Sequence, residues 1–361
     1  MTNPPATVPL ATHDSWCASR SPPPCLPLER GGADPLSSRK GQLKPVTLSL
    51  GLSRFRPRRR APSEIDARRA SLATLAIFLA PALIIYAAFT VYPVLRTFYN
   101  SVHTIRPRGV EEFVGLANFD ALLHTDLVFW KAVGNTAIFA IVATIADVLG
   151  GLLLALCLFS RVPFAKLLRV VWFTPVLMSY VVVGIIWVWI YDYDWGLANT
   201  ILRWLGLGSL EQSWLGEPRT ALWSVMTTHI WKWLGFNMII FLATLSALPG
   251  EVLGAAELDN CGWFAKLVHI IMPMLRPTIV NLTVLSFVGK MMIFDLVWIM
   301  TAGGPLWSTE TVSTYVYKRA FDWNTFDLGY PSAIAVLWFA IILIFVVVMT
   351  RLLRQRDKLE F

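Results

Sequence analysis

Four ionisable side chains lie inside long apolar stretches of this chain, and they are Asp147, Lys232, Lys290 and Asp295. An ionised side chain inside a hydrocarbon layer costs roughly 3 kcal/mol or more, so each should face protein or water. Three roles are open for these residues: pairing between helices, lining a path for a polar solute, or extending the charged end to the surface of the layer.

The spacing of these four residues limits which of them can pair with each other. Lys290 and Asp295 are five residues apart, which places them on different faces of one helix, so they are not expected to pair. Asp147 lies in another apolar stretch and is a suitable partner for Lys290. Lys232 stands between two tryptophans, a pattern that suits the faces of sugar rings and equally suits a membrane interface.

The sequence shows no arrangement of reactive side chains that would indicate catalysis. Its four cysteines have no CxxC spacing and its five histidines are scattered. No GxxxxGKS/T pattern occurs, so no nucleotide site of the P-loop type is expected. We predict that the chain is not an enzyme and that it holds neither a metal nor a cofactor.

The composition indicates which elements position these residues. The chain is 56% hydrophobic and 15% charged, with a mean hydropathy of +0.58, whereas soluble domains carry about 25% charged residues. A membrane-spanning helix needs roughly 20 apolar residues. We therefore predict an all-α integral membrane protein with six transmembrane helices, near residues 72–95, 132–158, 170–191, 221–248, 278–301 and 331–348.

The distribution of basic residues predicts the orientation. The net charge is +8, but Lys and Arg lie mostly beside apolar stretches, which argues against nucleic-acid binding. With the N-terminus inside, and with the N-terminal tail counted only from Arg54 onward, sixteen Lys and Arg fall on the inner side and eight on the outer side. The positive-inside rule then predicts that both termini are cytoplasmic.

The chain divides into three parts by composition. Residues 1–70 are rich in Pro, Ser and Arg without periodicity, and we interpret them as a disordered basic cytoplasmic tail that contains no signal peptide. Residues 71–355 form the predicted membrane domain, and residues 356–361 a short cytoplasmic tail.

The inner loop between the fourth and fifth spans, residues 249–277, has its own helical signals. Pro249 suits the start of a helix, and Glu251 suits the positive end of the helix dipole. Asn260 and Gly262 tolerate left-handed backbone, so a turn is expected there. A second short amphipathic run should follow the turn and end at two prolines before the fifth span.

The same loop resembles the EAA loop of the permease subunits of binding-protein-dependent ABC importers. The family pattern is matched by Ala255, Ala256, Asp259, Ile270 and Pro273. Three positions depart from it, namely Gly254 in place of Glu, Asn260 in place of Gly, and Met272 in place of Leu. Glu257 lies one turn from Gly254 and can partly substitute for the missing carboxylate.

The resemblance extends over residues 73–353 and is densest to the maltose and glycerol-phosphate permease group. The matching stretches are LAPALIIYAAFTVYPVLRTFYNS, FVGLANFDALL, GFNMIIFLATLSALP and FDLVWIMTAGGPLWSTETVSTYVYKRAF. The last is the most specific, and its Gly303, Gly304, Pro305, Thr309 and Thr311 all fall on the family pattern.

The resemblance implies a function. Such a subunit forms half of a pore with a second, similar permease, in the inner membrane of a bacterial-type cell. A cytoplasmic P-loop ATPase dimer grips the EAA loops, and an extracytoplasmic solute-binding protein delivers a sugar, oligosaccharide, polyol or glycerol-phosphate ester. The alternative hypothesis is a self-sufficient secondary transporter or channel, which would need neither an ATPase nor a binding protein.

It also implies two sets of site residues. The expected ATPase-coupling residues are Gly254, Ala255, Ala256, Glu257, Asp259, Asn260 and Pro273. The expected substrate path contains Lys232, Lys290 and Asp295, and the resemblance adds Asn237 and Phe294.

Overall fold

The computed structural model describes residues 64–106, 110–160, 162–322 and 327–354 of the chain, and these residues are mostly helical. Within these ranges the α-helices are α1 (Glu64–Tyr86), α2 (Tyr92–Ser101), α3 (Ala117–His124), α4 (Leu127–Phe159), α5 (Ala165–Leu177), α6 (Tyr180–Ile190), α7 (Leu197–Trp204), α8 (Ala221–Ser246), α9 (Gly250–Leu258), α10 (Trp263–Lys266), α11 (Met272–Met291), α12 (Asp295–Thr301), α13 (Val312–Tyr317) and α14 (Gly329–Arg354). Shorter helical segments are the π-helical Ala87–Val91, Leu267–Ile271 and Lys318–Asp322 and the 3₁₀ turn Gly208–Leu210.

Four continuous helical segments are long and apolar enough to cross a membrane. They are Thr74–Ser101, Leu127–Phe159, Trp263–Met291 and Gly329–Arg351. Two bent pairs pass the same test together: α5 with α6, which meet at 103°, and α8 with α9, which meet at 72°. The described residues therefore contain four to six candidate spans, six if each bent pair counts as one, as expected for an integral membrane protein.

The predicted tails lie largely outside the described residues. Of the segment 1–70, only the start of α1 is described, because that helix begins at Glu64. Of the tail 356–361, none is described. Its helical neighbour α14 ends at Arg354.

A short hairpin corrects the all-α prediction. Strand β1 (His103–Arg106) pairs antiparallel with β2 (Val110–Phe113), with His103 opposite Phe113. Two hydrogen bonds connect the hairpin to other parts of the chain. Asn118 Nδ2 in α3 donates to the carbonyl of His103 at 3.0 Å, and Ile105 N–H donates to Asp327, just before α14, at 2.9 Å. Four-residue strands leave too short an alternation for the sequence to reveal.

The predicted fifth span, 278–301, differs from the structure at both ends. Its helix begins earlier, because α10, the π-helical turn Leu267–Ile271 and α11 form one continuous helix of 29 residues. Pro273 is accommodated near the start of α11 and Pro277 within it, so the prolines do not end a separate loop helix. The same helix ends at Met291, and the carbonyl of Ile293 at the break accepts a hydrogen bond from Thr311 Oγ1 at 3.1 Å.

Helix α4 lies at the centre of the described core, packed along α8 and α11. The approach to α8 is close because Gly151 carries no side chain. A Cβ on Gly151 would lie 2.5 Å from the Cβ of Asn237. The first span differs, since its apolar side chains from residue 74 to 95 are mostly exposed and it packs mainly through α2 against α14.

Candidate functional site

The first part of the loop 249–277 forms two short helices joined by a turn. We call this part the α9–α10 corner (residues 249–266). Pro249 precedes α9 as its N-cap residue, and Asn260 adopts the left-handed backbone expected of it, with φ +52°. Gly262 instead has φ −59° and ψ 153° and acts as the N-cap of α10. The predicted turn is present, and its left-handed residue is Asn260.

Most of the corner is exposed. Ala255, Asp259 and Asn260 are exposed, whereas Ala256 is buried against the chain's own core. An ion pair of 2.8 Å between Lys266 and Glu257 joins α10 to α9. A Cβ on Gly254 would meet nothing within 4 Å. The glycine that stands in place of the family's Glu therefore leaves open space at this position.

The remaining expected coupling residue, Pro273, lies away from this surface, near the start of α11. Between the corner and the end of α4 lies a groove of about 510 Å³, lined in part by Phe159, Leu253, Trp263 and Lys266. The loop thus presents one exposed helix, an adjoining groove and a continuous helical connection into a candidate span.

Lys232 holds the bend between α5 and α6. Its side chain is 2% exposed, and Nζ donates to the carbonyls of Pro175, Val176 and Met178 at 3.1, 3.2 and 2.5 Å. These carbonyls lie at the C-terminal end of α5, where a helix leaves acceptors unpaired and carries partial negative charge. The ammonium also lies 5.0 Å from the ring centre of Tyr180 on α6. Its donors are therefore directed at backbone.

Lys290 pairs with Asp147, as the charges of the two apolar stretches suggested. Lys290 Nζ lies 2.8 Å from Asp147 Oδ2, and the two side chains are almost completely buried. Asn237 is buried nearby in the α4–α8 contact, with its Nδ2 donating to the carbonyl of Trp233 at 3.4 Å. Lys290 and Asn237 thus lie in helix contacts within the single chain.

Phe294 and Asp295 lie at the start of α12, after the break that ends α11. Phe294 stacks on Trp298 with ring centres 5.7 Å apart and contacts Tyr317 at 5.3 Å. It lines an apolar cavity of about 670 Å³. Asp295 is exposed. Of the five expected path residues, these two have the open positions.

A polar centre around Asp126 was not foreseen from the sequence. As N-cap of α4, Asp126 accepts from Phe129 N–H at 3.0 Å, from Tyr315 at 2.5 Å and from Tyr330 at 2.6 Å, and it pairs with Arg319 at 3.3 Å. Burial by itself would raise the pKa of this carboxyl, but these hydrogen bonds and the Arg319 charge together hold the pKa below its usual 3.8. An acid directly before an apolar run is an N-cap signal, although the sequence does not show its distant partners.

A second buried pair organises the glycine-containing loop after α12. Glu310 is fully buried and accepts a hydrogen bond from Lys318 Nζ at 2.5 Å. Gly303 lies against them with φ +84°, and a Cβ there would lie 1.9 Å from the Glu310 carboxylate. The sequence GGP marks a turn, but Glu310, the acid that this loop encloses, lies seven residues after Gly303.

This chain matches a protein-family pattern and several known sequences. The pattern of the family described as "Binding-protein-dependent transport system inner membrane component" matches residues 147–358. A probable ABC transporter permease protein, YurN of Bacillus subtilis, is 32% identical over 72% of this chain and 88% of its own length. The trehalose/maltose transport system permease protein MalF of Thermococcus litoralis is 30% identical over 81% of this chain and 97% of its own.

The fold is also similar to a solved structure. A chain of a bacterial alginate ABC transporter, crystallised in complex with an alginate pentasaccharide-bound periplasmic protein, superposes with a TM-score of 0.72 at 21% identity. The match covers 81% of this chain and 98% of that chain.

Proposed function

Because this chain belongs to the family of binding-protein-dependent transport system inner membrane components, as its sequence resemblance predicted, we propose that it forms half of the pore of an ATP-driven carbohydrate importer. A second, similar permease would supply the other half. A separate P-loop ATPase dimer would supply the energy, and an external solute-binding protein would deliver the substrate.

The observation that supports this proposal most is the exposed α9–α10 corner, which is joined without a break to a candidate span. In our proposal Ala255, Asp259 and Asn260 contact the ATPase, and Glu257 and Lys266 hold the two short helices at a fixed angle. Closure of the ATPase pair would then move α11 as a rigid element, which is how alternating access is driven.

The proposed topology has six spans, with each bent pair counted as one. The excess of Lys and Arg supports cytoplasmic termini, and in this topology the α9–α10 corner would lie on the cytoplasmic side of a bacterial-type inner membrane. The substrate path lies between the two permeases, so we assign Phe294 and Asp295, which are partly or fully open in the single chain, to its wall. Lys232, Asn237 and Lys290 are buried within the single chain and would hold in place the helices that form this wall.

A carbohydrate substrate is supported by relatives whose names state sulfoquinovosyl glycerol, trehalose/maltose and arabinooligosaccharide transport. The aromatic rings of Phe294, Trp298 and Tyr317 lie together at the start of α12. Such rings suit the apolar faces of sugar rings, and the Asp295 carboxylate beside them can accept hydrogen bonds from hydroxyl groups.

The proposal is tested by purifying the full chain from its native membranes through a tag on the C-terminal tail. Recovery of a second permease and a P-loop ATPase is the expected result. Ala255→Arg should release the ATPase and retain the permease, because Ala255 is exposed on α9. Ala256 is a poorer probe, since it is buried and arginine there would disturb this chain's own packing.

Two further variants sharpen the test. Ala117→Arg, at an exposed alanine of α3, should retain both partners, because the proposed topology places α3 on the opposite side of the membrane. Gly254→Glu should increase ATPase retention, since the site is open and removal of a helical glycine stabilises α9 by about 0.5–1 kcal/mol. Purification of the chain alone, together with solute transport in liposomes without ATP, would favour a secondary transporter instead.

A further inference from the structure

The segment between α6 and α8, residues 191–220, is an ordered module rather than a loose connection. Asn199 is completely buried at its centre. Its Nδ2 donates to the carbonyls of Tyr193 and Gln212 at 3.0 and 3.2 Å, and its Oδ1 accepts from Trp214 Nε1 at 2.8 Å. Arg203 pairs with Glu211 at 3.2 Å. These contacts hold α7 against the other residues of the module.

Held in this way, α7 exposes an apolar face. Leu197, Ile201, Trp204 and Leu205 follow the spacing i, i+4, i+7 and i+8, which places them on one side of the helix, and we call them the α7 face. All four are exposed, and Trp204 is 91% exposed. The opposite side of α7 packs against the rest of the module, because it carries the buried Asn199. The α7 face therefore stays exposed in the folded single chain.

The α7 face follows the exposed apolar residues of α6 closely along the chain. That helix ends at Ile190, seven residues before α7 begins, and Trp189 near its end is exposed. Tyr193 and Trp195, which link the two helices, are exposed as well. Tryptophan and tyrosine are enriched where a bilayer meets water, so this run has the composition of a bilayer boundary at the start of α7.

We propose that α7 lies in the plane of the membrane interface, with the α7 face buried among the lipid headgroups and the upper acyl chains. Helices with this division of residues bind bilayers through their apolar side. In this chain the helix would fix the depth of the α5–α6 pair, because α7 follows that bent span directly and is bonded rigidly to its own module.

The charges of the module favour an apolar mode of binding. Residues 192–220 contain four acidic and two basic side chains, and one of the two, Arg203, is paired with Glu211. Attraction to anionic lipid, which requires clustered Lys and Arg, is therefore not the driving force. A water-soluble protein that docks transiently would meet a surface of average polarity, whereas the α7 face consists of four apolar side chains.

The test places a fluorescent label on the α7 face of the full chain, together with any subunits that it retains. The four native cysteines are replaced by serine, and Leu205→Cys carries an NBD group in phosphatidylcholine nanodiscs. Glu217→Cys, at an exposed position of the same module, is the matched control. Quenching is measured with lipid that carries a nitroxide on the upper acyl chain and with aqueous iodide.

The expected result is several-fold stronger lipid quenching at position 205 than at position 217, with the reverse order for iodide. Replacing part of the phosphatidylcholine with phosphatidylglycerol should leave both ratios unchanged. Equal iodide quenching at the two positions would overturn the proposal, since the face would then lie in water. Protection of position 205 from both quenchers would also overturn it, because the face would be covered by protein.

Discussion

Lys290 and Asp147 join α11 to α4 through a buried ion pair of 2.8 Å, although the two residues are far apart in the sequence. Removing one member leaves an uncompensated buried charge, and such changes cost about 3–5 kcal/mol. We expect Asp147→Asn and Lys290→Met each to lower the unfolding midpoint of the purified protein strongly. The double variant should be more stable than either single variant, and an additive loss of stability would show that the two side chains do not interact.

The Lys232 ammonium provides the second prediction. Lys232→Met removes three donors from the carbonyls of Pro175, Val176 and Met178, and hydrogen bonds to a charged group each contribute about 1.5–3 kcal/mol. We expect lower stability and faster hydrogen exchange around the bend between α5 and α6. Lys131→Met is the control, since Lys131 is exposed and donates to a single carbonyl, that of Leu306. If exchange at the bend were unchanged, Lys232 would not be what holds it.

Gly235 supplies the third prediction, because α5 approaches α8 at this residue. A Cβ on Gly235 would lie 1.9 Å from the carbonyl oxygen of Trp172, and that atom belongs to backbone that cannot move aside. Gly235→Ala should destabilise the protein by about 1–3 kcal/mol or more through overpacking. Gly134→Ala in α4 meets nothing within 4 Å and should stabilise by about 0.5–1 kcal/mol. Thermal unfolding of the two variants side by side measures the contrast, and matching shifts would contradict it.

Asp126 gives the fourth prediction. Asp126→Ala should cost about 1 kcal/mol for the lost helix cap alone, and more because Tyr315 and Tyr330 lose their acceptor. Asp120→Ala, at an exposed residue of α3, should change stability little. A larger effect at Asp120 than at Asp126 would be inconsistent with this network.

The Asp126 network also implies a dependence on pH. Its pKa is lowered on folding, so its ionised form stabilises the folded protein above the usual carboxyl range. That contribution should fade as the pH falls below about 3.8 and through the lower folded value. The difference in unfolding midpoint between the natural protein and Asp126→Ala should shrink over the same interval. A difference independent of pH would rule out the carboxylate as its source.

Sequence reasoning reached the features that depend on local residue type. Pro249 and Asn260 set the start of α9 and the turn after it because each has a restricted or unusual backbone preference. The cost of buried charge made Lys290 a suitable partner for Asp147, although the sequence left a place in the substrate path open for Lys290 as well. Such arguments work because the signal lies in the residue itself.

Features that depend on distant backbone could not be predicted in this way. The stretch from 170 to 191 is mostly apolar and carries no charged residue, and it has the length of one straight span, yet it bends by 103° at residues 178 and 179. The partners of Lys232 are carbonyl groups, which every residue carries, so no side chain identifies them. The break after Met291 likewise depends on a hydroxyl from Thr311, twenty residues along the chain.

The unbroken helix from Trp263 to Met291 has a mechanical consequence. At 1.5 Å per residue its 29 residues span about 40 Å, and no non-helical residue interrupts it. If the α9–α10 corner receives the motion of an ATPase, as we propose, this helix would carry that motion from the Glu257–Lys266 pair near one end to the Lys290–Asp147 pair near the other. A small tilt of the corner would then become a sideways displacement of α4, and the bending stiffness of the helix would set how much of that displacement is retained.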